Sequence, residues 1–151
     1  MLTGGTIGQR GAAGGAVPDA DATAGLAAAH APDGVLVRTE QVMERNSPDV
    51  SPRDWGTLAD RVLRGLRQGA DGIVILHGTD TLAYTAAALS FALRGVDRPV
   101  VLTGSMIPGS APGSDAPANL RAAYAVAAAP LAGVCVVFGA PGGGADILPG
   151  T

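Results

Sequence analysis

Short segments that are apolar at every position alternate with helical segments along this chain, and that alternation limits its fold more than any other feature. Three apolar segments lie at residues 73–76, 99–102 and 134–138. Continuous apolar segments of this length are typical of strands whose two faces are both covered, as in a parallel sheet. The pattern therefore predicts an α/β protein, doubly wound, with a mostly parallel sheet and helices on both faces.

The remaining elements are predicted from start and stop signals. Ser51 and Pro52 predict the N-cap and first residue of one helix, which continues with apolar residues at helical spacing until Gly69. Residues 8–19 are rich in Gly and Ala without periodicity, which predicts a mobile loop. Further helices are expected at 22–30, 82–93 and 120–129, and further strands at 1–3 and 35–38.

Composition narrows the functional classes. A length of 151 residues fits one domain with a core of its own. The net charge is −3 and the ten basic residues, all arginine, are not clustered, so nucleic acid is not an expected partner. Cys135, the single cysteine, is predicted to be a buried structural thiol. No leader-like segment is present, and prolines and glycines interrupt the uncharged stretch 122–145, so a cytoplasmic protein without a membrane span is expected.

Glycines and hydroxyls follow two of the predicted strands. The motifs are TGGTIG at residues 3–8 and HGTDT at residues 77–81. Parallel α/β sheets bind ligands beyond the carboxyl ends of their strands. Paired glycines allow a sharp turn and a close approach of a ligand, and an exposed Thr becomes a nucleophile when a base or polarising group assists it. A plain glycine-rich turn is the alternative for the first motif and helix capping for the second, but the two motifs together favour a functional site.

The sequence contains no motif for binding a cofactor or a metal ion. There is no lysine for a phosphate-binding P-loop and no Gly-x-Gly-x-x-Gly for a dinucleotide, so no cofactor is predicted. His77 lies between an apolar strand and a turn, which favours a hydrogen-bonded structural histidine over a general base. His30 is expected at the surface, and neither histidine has neighbours at ligand spacing, so no metal site is predicted.

Five motifs in order resemble the N-terminal domain of the L-asparaginase (asparaginase/glutaminase) family. They are TGGTIG, NSPDVSPRDW, GIVILHGTDTLAYTAAALSF, RPVVLTGSMIP and SDAPANL. The stretch HGTDTLAYT is most similar to the cytoplasmic, type I branch. The resemblance implies a Rossmann-like fold and an amidohydrolase that converts L-asparagine to L-aspartate and ammonia through a threonine nucleophile and an aspartyl ester.

The resemblance also implies roles for six residues. Three correspond to the family's catalytic residues, namely its two threonines and its substrate-holding aspartate: Thr6, Thr79 and Asp80. Three correspond to its substrate pocket, the first being the serine that binds the α-carboxylate: Ser47, Gly78 and Ser105.

Departures from the family pattern leave alternatives open. The family's catalytic lysine follows the last strand predicted here, its loop tyrosine corresponds to Ala16, and its C-terminal domain lies outside residues 1–151. The chain is therefore expected to be an N-terminal domain truncated at both ends, and a homo-oligomer when full length. One alternative is a catalytically incomplete fragment without turnover. The other is a related amidohydrolase acting on glutamine, although the low basic content argues against glutamine carried on tRNA.

Overall fold

A computed structural model describes residues 1–12 and 15–151, with side chains for residues 1–9 and 19–151. The strands are β1 Leu2–Gly4, β2 Gln9–Ala12, β3 Gly15–Pro18, β4 Gln41–Arg45, β5 Ile73–Leu76, β6 Pro99–Thr103, β7 Gly133–Phe138 and β8 Asp146–Pro149. Six of them form one sheet in the order β4-β1-β5-β6-β7-β8. The first five run parallel, and β8 is antiparallel to β7. The predicted, mostly parallel α/β sheet is confirmed.

Helices cover both faces of this sheet. They are α1 Ala20–Ala29, α2 Pro52–Arg67, α3 Leu82–Ala92 and α4 Ala116–Ala127. Alternate residues of β5 belong to different cores: Ile73 and Ile75 pack with α2 and α3, whereas Leu76 packs with α1 and α4. Full burial of one such side chain stabilises the fold by about 1.5–3 kcal/mol. The doubly wound arrangement therefore has two cores, one on each side of the sheet.

The limits of α2 lie where the sequence predicts them. The Asp54 carboxylate accepts hydrogen bonds from the Ser51 N–H at 2.9 Å and the Ser51 hydroxyl at 2.6 Å, which closes the start of the helix. At the other end Gly69 has a φ of +90°, a conformation that favours glycine. The N–H groups of Gly69 and Ala70 bond back to Leu66 and Gly65, so the last carbonyls of α2 are satisfied.

Helices α1 and α3 and strands β1, β5, β6 and β7 confirm the corresponding predictions to within a few residues. Helix α4 begins four residues earlier than the predicted position 120. Asp115 is the N-cap residue, so Ala116 and Pro117 form the first turn of the helix. Pro is favoured there because its missing N–H would have no partner within the helix.

The predicted strand at 35–38 is wrong. Leu36 is 82% exposed, and the strand that pairs with β1 is β4, where Leu2 lies opposite Gln41. Residues 35–37 are apolar, whereas β4 is an edge strand whose exposed residues are polar, so the apolar pattern predicts the wrong segment.

The predicted mobile loop at 8–19 is also corrected, and a further strand follows β7. Within 8–19, strands β2 and β3 pair antiparallel, with Gln9 opposite Pro18. After Phe138 the chain turns through Gly142, whose φ is +78°, into β8. Main-chain pairing needs no apolar pattern, so neither the separate pair β2–β3 nor the edge strand β8 has a strong signal in the sequence.

Candidate active site

Three turns meet at the carboxyl edge of the sheet. Strands β4, β1 and β5 are neighbours, and each is followed by a short 3-10 helix: Ser47–Asp49, Thr6–Gly8 and Thr79–Thr81, respectively. Because parallel strands end at the same edge, these turns lie side by side. The structure therefore brings Thr6, Ser47, Thr79 and Asp80 to one edge of the sheet, as the motifs predict.

Glycines allow the turns to touch. Gly5 has a φ of +89°, and a Cβ there would lie 2.5 Å from the Cα and N of Gly78. A Cβ at Gly78 would lie 2.6 Å from both Cβ and Oγ of Ser47. Real Cβ atoms do not approach so closely, so the contact between the three turns depends on the missing side chains at these two positions.

Ser47 and Asp80 are joined by two hydrogen bonds. The Ser47 hydroxyl donates to Oδ2 of Asp80 at 2.9 Å, and the Asp80 N–H donates to Ser47 Oγ at 3.2 Å. Ser47 is 4% exposed, whereas Asp80 is exposed. A carboxylate thus faces solvent while a buried hydroxyl fixes its orientation, an arrangement suited to binding a cationic group of a ligand.

Thr81 bonds to the same serine. Its hydroxyl donates to the main-chain carbonyl of Ser47 at 2.8 Å, and it gives no side-chain capping bond to α3, although it is the N-cap residue. The helix-capping alternative for this motif is therefore not what the structure shows for Asp80 and Thr81. Both residues connect the turn after β5 to the turn after β4.

Thr6 and Thr79 are half-buried at the same edge. Among the described residues, neither hydroxyl has a hydrogen-bond partner, so both are available to a ligand. Thr79 begins a 3-10 helix in which the next N–H, that of Asp80, already donates to Ser47. Two hydroxyls and one carboxylate are thus present for a small polar ligand.

His77 is a structural residue, as the sequence predicts. It is 1% exposed; Nδ1 lies 2.8 Å from the Gly78 carbonyl and Nε2 lies 3.0 Å from Oγ1 of Thr85. A carbonyl only accepts, so Nδ1 is the donor and Nε2 of the neutral ring accepts from Thr85. Burial lowers the pKa of His77, which keeps the ring neutral. Trp55 Nε1 in turn donates to Thr85 at 3.0 Å, so every polar atom of this chain of contacts has a partner.

Ser105 lies in the loop after β6, the strand beside β5. It is 1% exposed, and its hydroxyl donates to the Ile107 carbonyl at 2.7 Å. The sequence implies that Ser105 belongs to the substrate pocket; in this structure its side chain instead closes its own loop.

Two buried residues hold that loop: Asp115, the N-cap residue of α4, and Asn119 within α4. Neither of them has a role predicted from the sequence. The Asp115 carboxylate accepts from the Met106 N–H at 2.9 Å and the Ile107 N–H at 3.0 Å. Asn119 donates to the Gly104 carbonyl at 3.0 Å and accepts from the Gly139 N–H at 2.9 Å. The loops after β6 and β7 are therefore fixed to each other through α4.

Asp54 is a further residue that sequence reasoning missed. Besides closing the start of α2, its carboxylate lies 3.3 Å from Nε of Arg45, at the end of β4. Hydrogen bonds from Ser51 lower the pKa of Asp54, and Arg45 lowers it further. The pattern Ser-x-x-Asp at 51–54 is a capping-box signal and could have identified this carboxylate.

Three other expectations concern absences or undescribed side chains. The described residues contain no group of three or more His, Cys, Asp or Glu side chains that could hold a metal ion. No helix in the described part of the chain combines the length and apolar character needed to cross a membrane. The side chain of Ala16, which corresponds to the family's loop tyrosine, lies outside the described residues.

Comparison with known proteins identifies the class to which this fold and site belong. The family described as "Asparaginase, N-terminal" matches residues 1–147, and the chain belongs to that family. An L-asparaginase from Thermococcus kodakarensis is 46% identical over 113 residues, which are 75% of this chain and 34% of that protein. A glutamyl-tRNA(Gln) amidotransferase protein from Pyrobaculum aerophilum is 45% identical over 103 residues, 68% of this chain and 25% of that protein.

Solved structures give the same class. The thermostable L-asparaginase from Thermococcus kodakarensis superimposes with a TM-score of 0.85 at 41% identity. A structure described as a probable cytoplasmic L-asparaginase from Campylobacter jejuni gives a TM-score of 0.78 at 33% identity. In both cases the match covers 99% of this chain and 44% of the solved chain. The chain therefore spans less than half the length of the relatives that it matches.

Proposed function

We propose that this chain carries the threonine-bearing part of an L-asparaginase active site and that the protein hydrolyses L-asparagine to L-aspartate and ammonia. The observation that carries the proposal is the meeting of Thr6, Thr79 and the Ser47–Asp80 pair at one sheet edge, in a chain of the asparaginase family. The family and the site geometry of this chain support the activity that we propose for the whole protein.

The site's charges suit an amino-acid substrate. The exposed Asp80 carboxylate would bind the α-ammonium group, and its orientation is already fixed by Ser47. The substrate α-carboxylate would lie against the Ser47 loop and the turn that begins at Thr79. A zwitterionic ligand is thereby held at both charged groups, which leaves its side-chain amide to reach the threonines.

The reaction would proceed in two balanced steps. The Thr6 oxygen attacks the amide carbon, its proton passes to the departing nitrogen, and ammonia leaves an aspartyl ester on Thr6. Water then attacks the ester carbon, returns a proton to the Thr6 oxygen and releases aspartate. Thr79 would act at the same reacting carbon, and main-chain N–H groups would stabilise the negative oxygen of each tetrahedral intermediate.

Glutamine is the second candidate substrate, because glutamyl-tRNA(Gln) amidotransferase proteins are among the relatives. A net charge of −3 without any lysine argues against substrates carried on RNA. A cytoplasmic location is supported by the Campylobacter jejuni protein described as cytoplasmic, and assembly as a homo-oligomer follows from the family resemblance.

The test measures ammonia release from L-asparagine and L-glutamine by the 151-residue chain and three variants. We expect Thr6→Ala and Thr79→Ala to abolish release while the unfolding midpoint stays near that of the unchanged chain. The control is Thr57→Ala, which removes an exposed hydroxyl on α2 and should leave release unchanged. Full activity in Thr6→Ala would reject the nucleophile. Binding of L-aspartate without any ammonia release would favour the catalytically incomplete fragment.

A further inference from the structure

The loop that carries Ser47, residues 46–50, is closed at both ends by one carboxylate. Asp54 accepts two hydrogen bonds from Ser51 at the end of the loop and pairs with Arg45 at its start. This arrangement fixes where the loop begins and ends. It does not fix the direction in which the middle of the loop faces.

Thr81 supplies a contact to the middle of the loop. Its hydroxyl donates to the Ser47 carbonyl across 34 positions of sequence, from the turn that also contains Asp80. A threonine hydroxyl has one proton to donate, and here that proton is used within the protein. Thr81 therefore acts on Ser47 rather than on a ligand.

The position of Ser47 leaves little freedom. Its hydroxyl both donates to the Asp80 carboxylate and accepts from the Asp80 N–H, so a small rotation of the loop breaks one of these bonds. Ser47 is also packed against Gly78, where one added carbon would lie 2.6 Å from the Ser47 side chain. A main-chain anchor at Ser47 thus keeps its hydroxyl between the two groups of Asp80.

We propose that Thr81 is a positioning residue that sets the affinity of the site for its amino-acid ligand. It holds the Ser47 main chain so that the Asp80 carboxylate is oriented before the ligand arrives. The proposal rests on the function proposed above, because Asp80 and Ser47 are taken as the groups that bind the substrate. The ligand affinity should therefore depend on the Thr81 hydroxyl, which does not touch the ligand.

The test compares Thr81→Val, which keeps the shape but removes the donor, with Thr81→Ser, which keeps the donor. Thr57→Val is the matched control, because the Thr57 hydroxyl also donates to a main-chain carbonyl, that of Arg53, but on the exposed side of α2. Affinity is measured with L-aspartate by calorimetry, and exchange of the Asp80 N–H by NMR. We expect about fivefold weaker binding and about fivefold faster exchange in Thr81→Val, the effect of one hydrogen bond, and changes below about twofold in the other two variants.

Two results would overturn the proposal. Unchanged affinity and unchanged Asp80 exchange in Thr81→Val would show that the anchor is not needed. An equal loss in Thr81→Ser would show that packing, rather than the hydroxyl, is responsible. If the unchanged chain binds no L-aspartate, the proposed function fails, and the exchange of the Asp80 N–H still decides whether Thr81 holds Ser47.

Discussion

The contact between Gly78 and Ser47 makes a prediction that separates steric crowding from backbone strain. Gly78 has a φ of −74°, which any residue adopts, so Gly78→Ala costs nothing in backbone conformation. The added Cβ, however, would lie 2.6 Å from two atoms of Ser47, whereas ordinary contact begins at 3.4 Å. Ser47 and Gly78 have to move apart by about 0.8 Å, which strains the hydrogen bonds between Ser47 and Asp80.

The cost of that movement has two parts. Over-packing in a close contact typically costs about 1–3 kcal/mol. Weakening a Ser47–Asp80 hydrogen bond adds about 0.5–1.5 kcal/mol. We therefore expect Gly78→Ala to lower the free energy of unfolding by about 2–4 kcal/mol and to weaken binding of L-aspartate.

Gly56→Ala is the matched control because it makes the same chemical change. Gly56 lies inside α2, and a Cβ there would meet no atom within 4 Å. Alanine is better than glycine in a helix by about 0.5–1 kcal/mol, so this variant should be more stable than the unchanged chain. Urea unfolding followed by circular dichroism measures both variants. The reasoning is refuted if Gly78→Ala unfolds at the midpoint of the unchanged chain and binds L-aspartate as tightly.

Four further variants test the core and two titrating groups. Leu89→Ala, in a side chain that is fully buried between α3 and the sheet, should cost about 2–5 kcal/mol in urea unfolding, whereas Leu36→Ala, at 82% exposure, should cost little. Burial lowers the pKa of His77 in the folded protein, so the unfolded chain binds the proton more readily. The free energy of unfolding should therefore fall as the pH drops below about 6.5. In His77→Gln the corresponding fall in the urea midpoint should be smaller. Hydrogen bonds from Ser51 lower the pKa of Asp54, so its contribution to the free energy of unfolding is present above about pH 4 and lost in acid. The difference in urea midpoint between the unchanged chain and Asp54→Asn should therefore be present at about pH 6 and vanish towards about pH 2.

The central strands and their helices can be predicted from the sequence because strands buried on both faces are apolar at every position. Strand β5 is apolar throughout, and α2 has its start and stop signals at Ser51 and Gly69. The edge strands β4 and β8 have no such apolar pattern. Strand β4 is placed by its pairing with β1, and β8 exposes Ile147 and Leu148 despite belonging to the sheet. Tertiary pairing, rather than local pattern, decides where these strands lie.

In the candidate site too, some features follow from local sequence patterns and others depend on tertiary contacts. That Thr6 and Asp80 share an edge is predictable, because each follows a predicted strand of one parallel sheet. The same reasoning does not place Ser47, because β4, the strand before it, has no local signal. The contacts of Ser47 with the turn after β5 are not predictable either, because they join residues more than thirty positions apart and depend on how closely two turns approach. The glycines in each motif suggest a close approach, but only the structure shows that Gly5 and Gly78 face each other and that Gly78 leaves room for Ser47.

The motif at residues 77–81 shows why its residues are needed for two different reasons. His77 and Gly78 serve the fold: the ring fixes the Gly78 carbonyl, and the absent side chain admits Ser47. Thr79 and Asp80 are the residues that we propose to face the ligand: Asp80 is exposed, and the hydroxyl of Thr79 is left without a partner among the described residues. Thr81 connects the two roles, since it bonds to the loop that orients Asp80. Substitutions in these five residues should therefore differ in kind. Those at His77 and Gly78 should lower the stability of the ligand-free protein, with Gly78→Ala weakening ligand binding as well, whereas those at Thr79 and Asp80 should chiefly change what the protein does with a ligand.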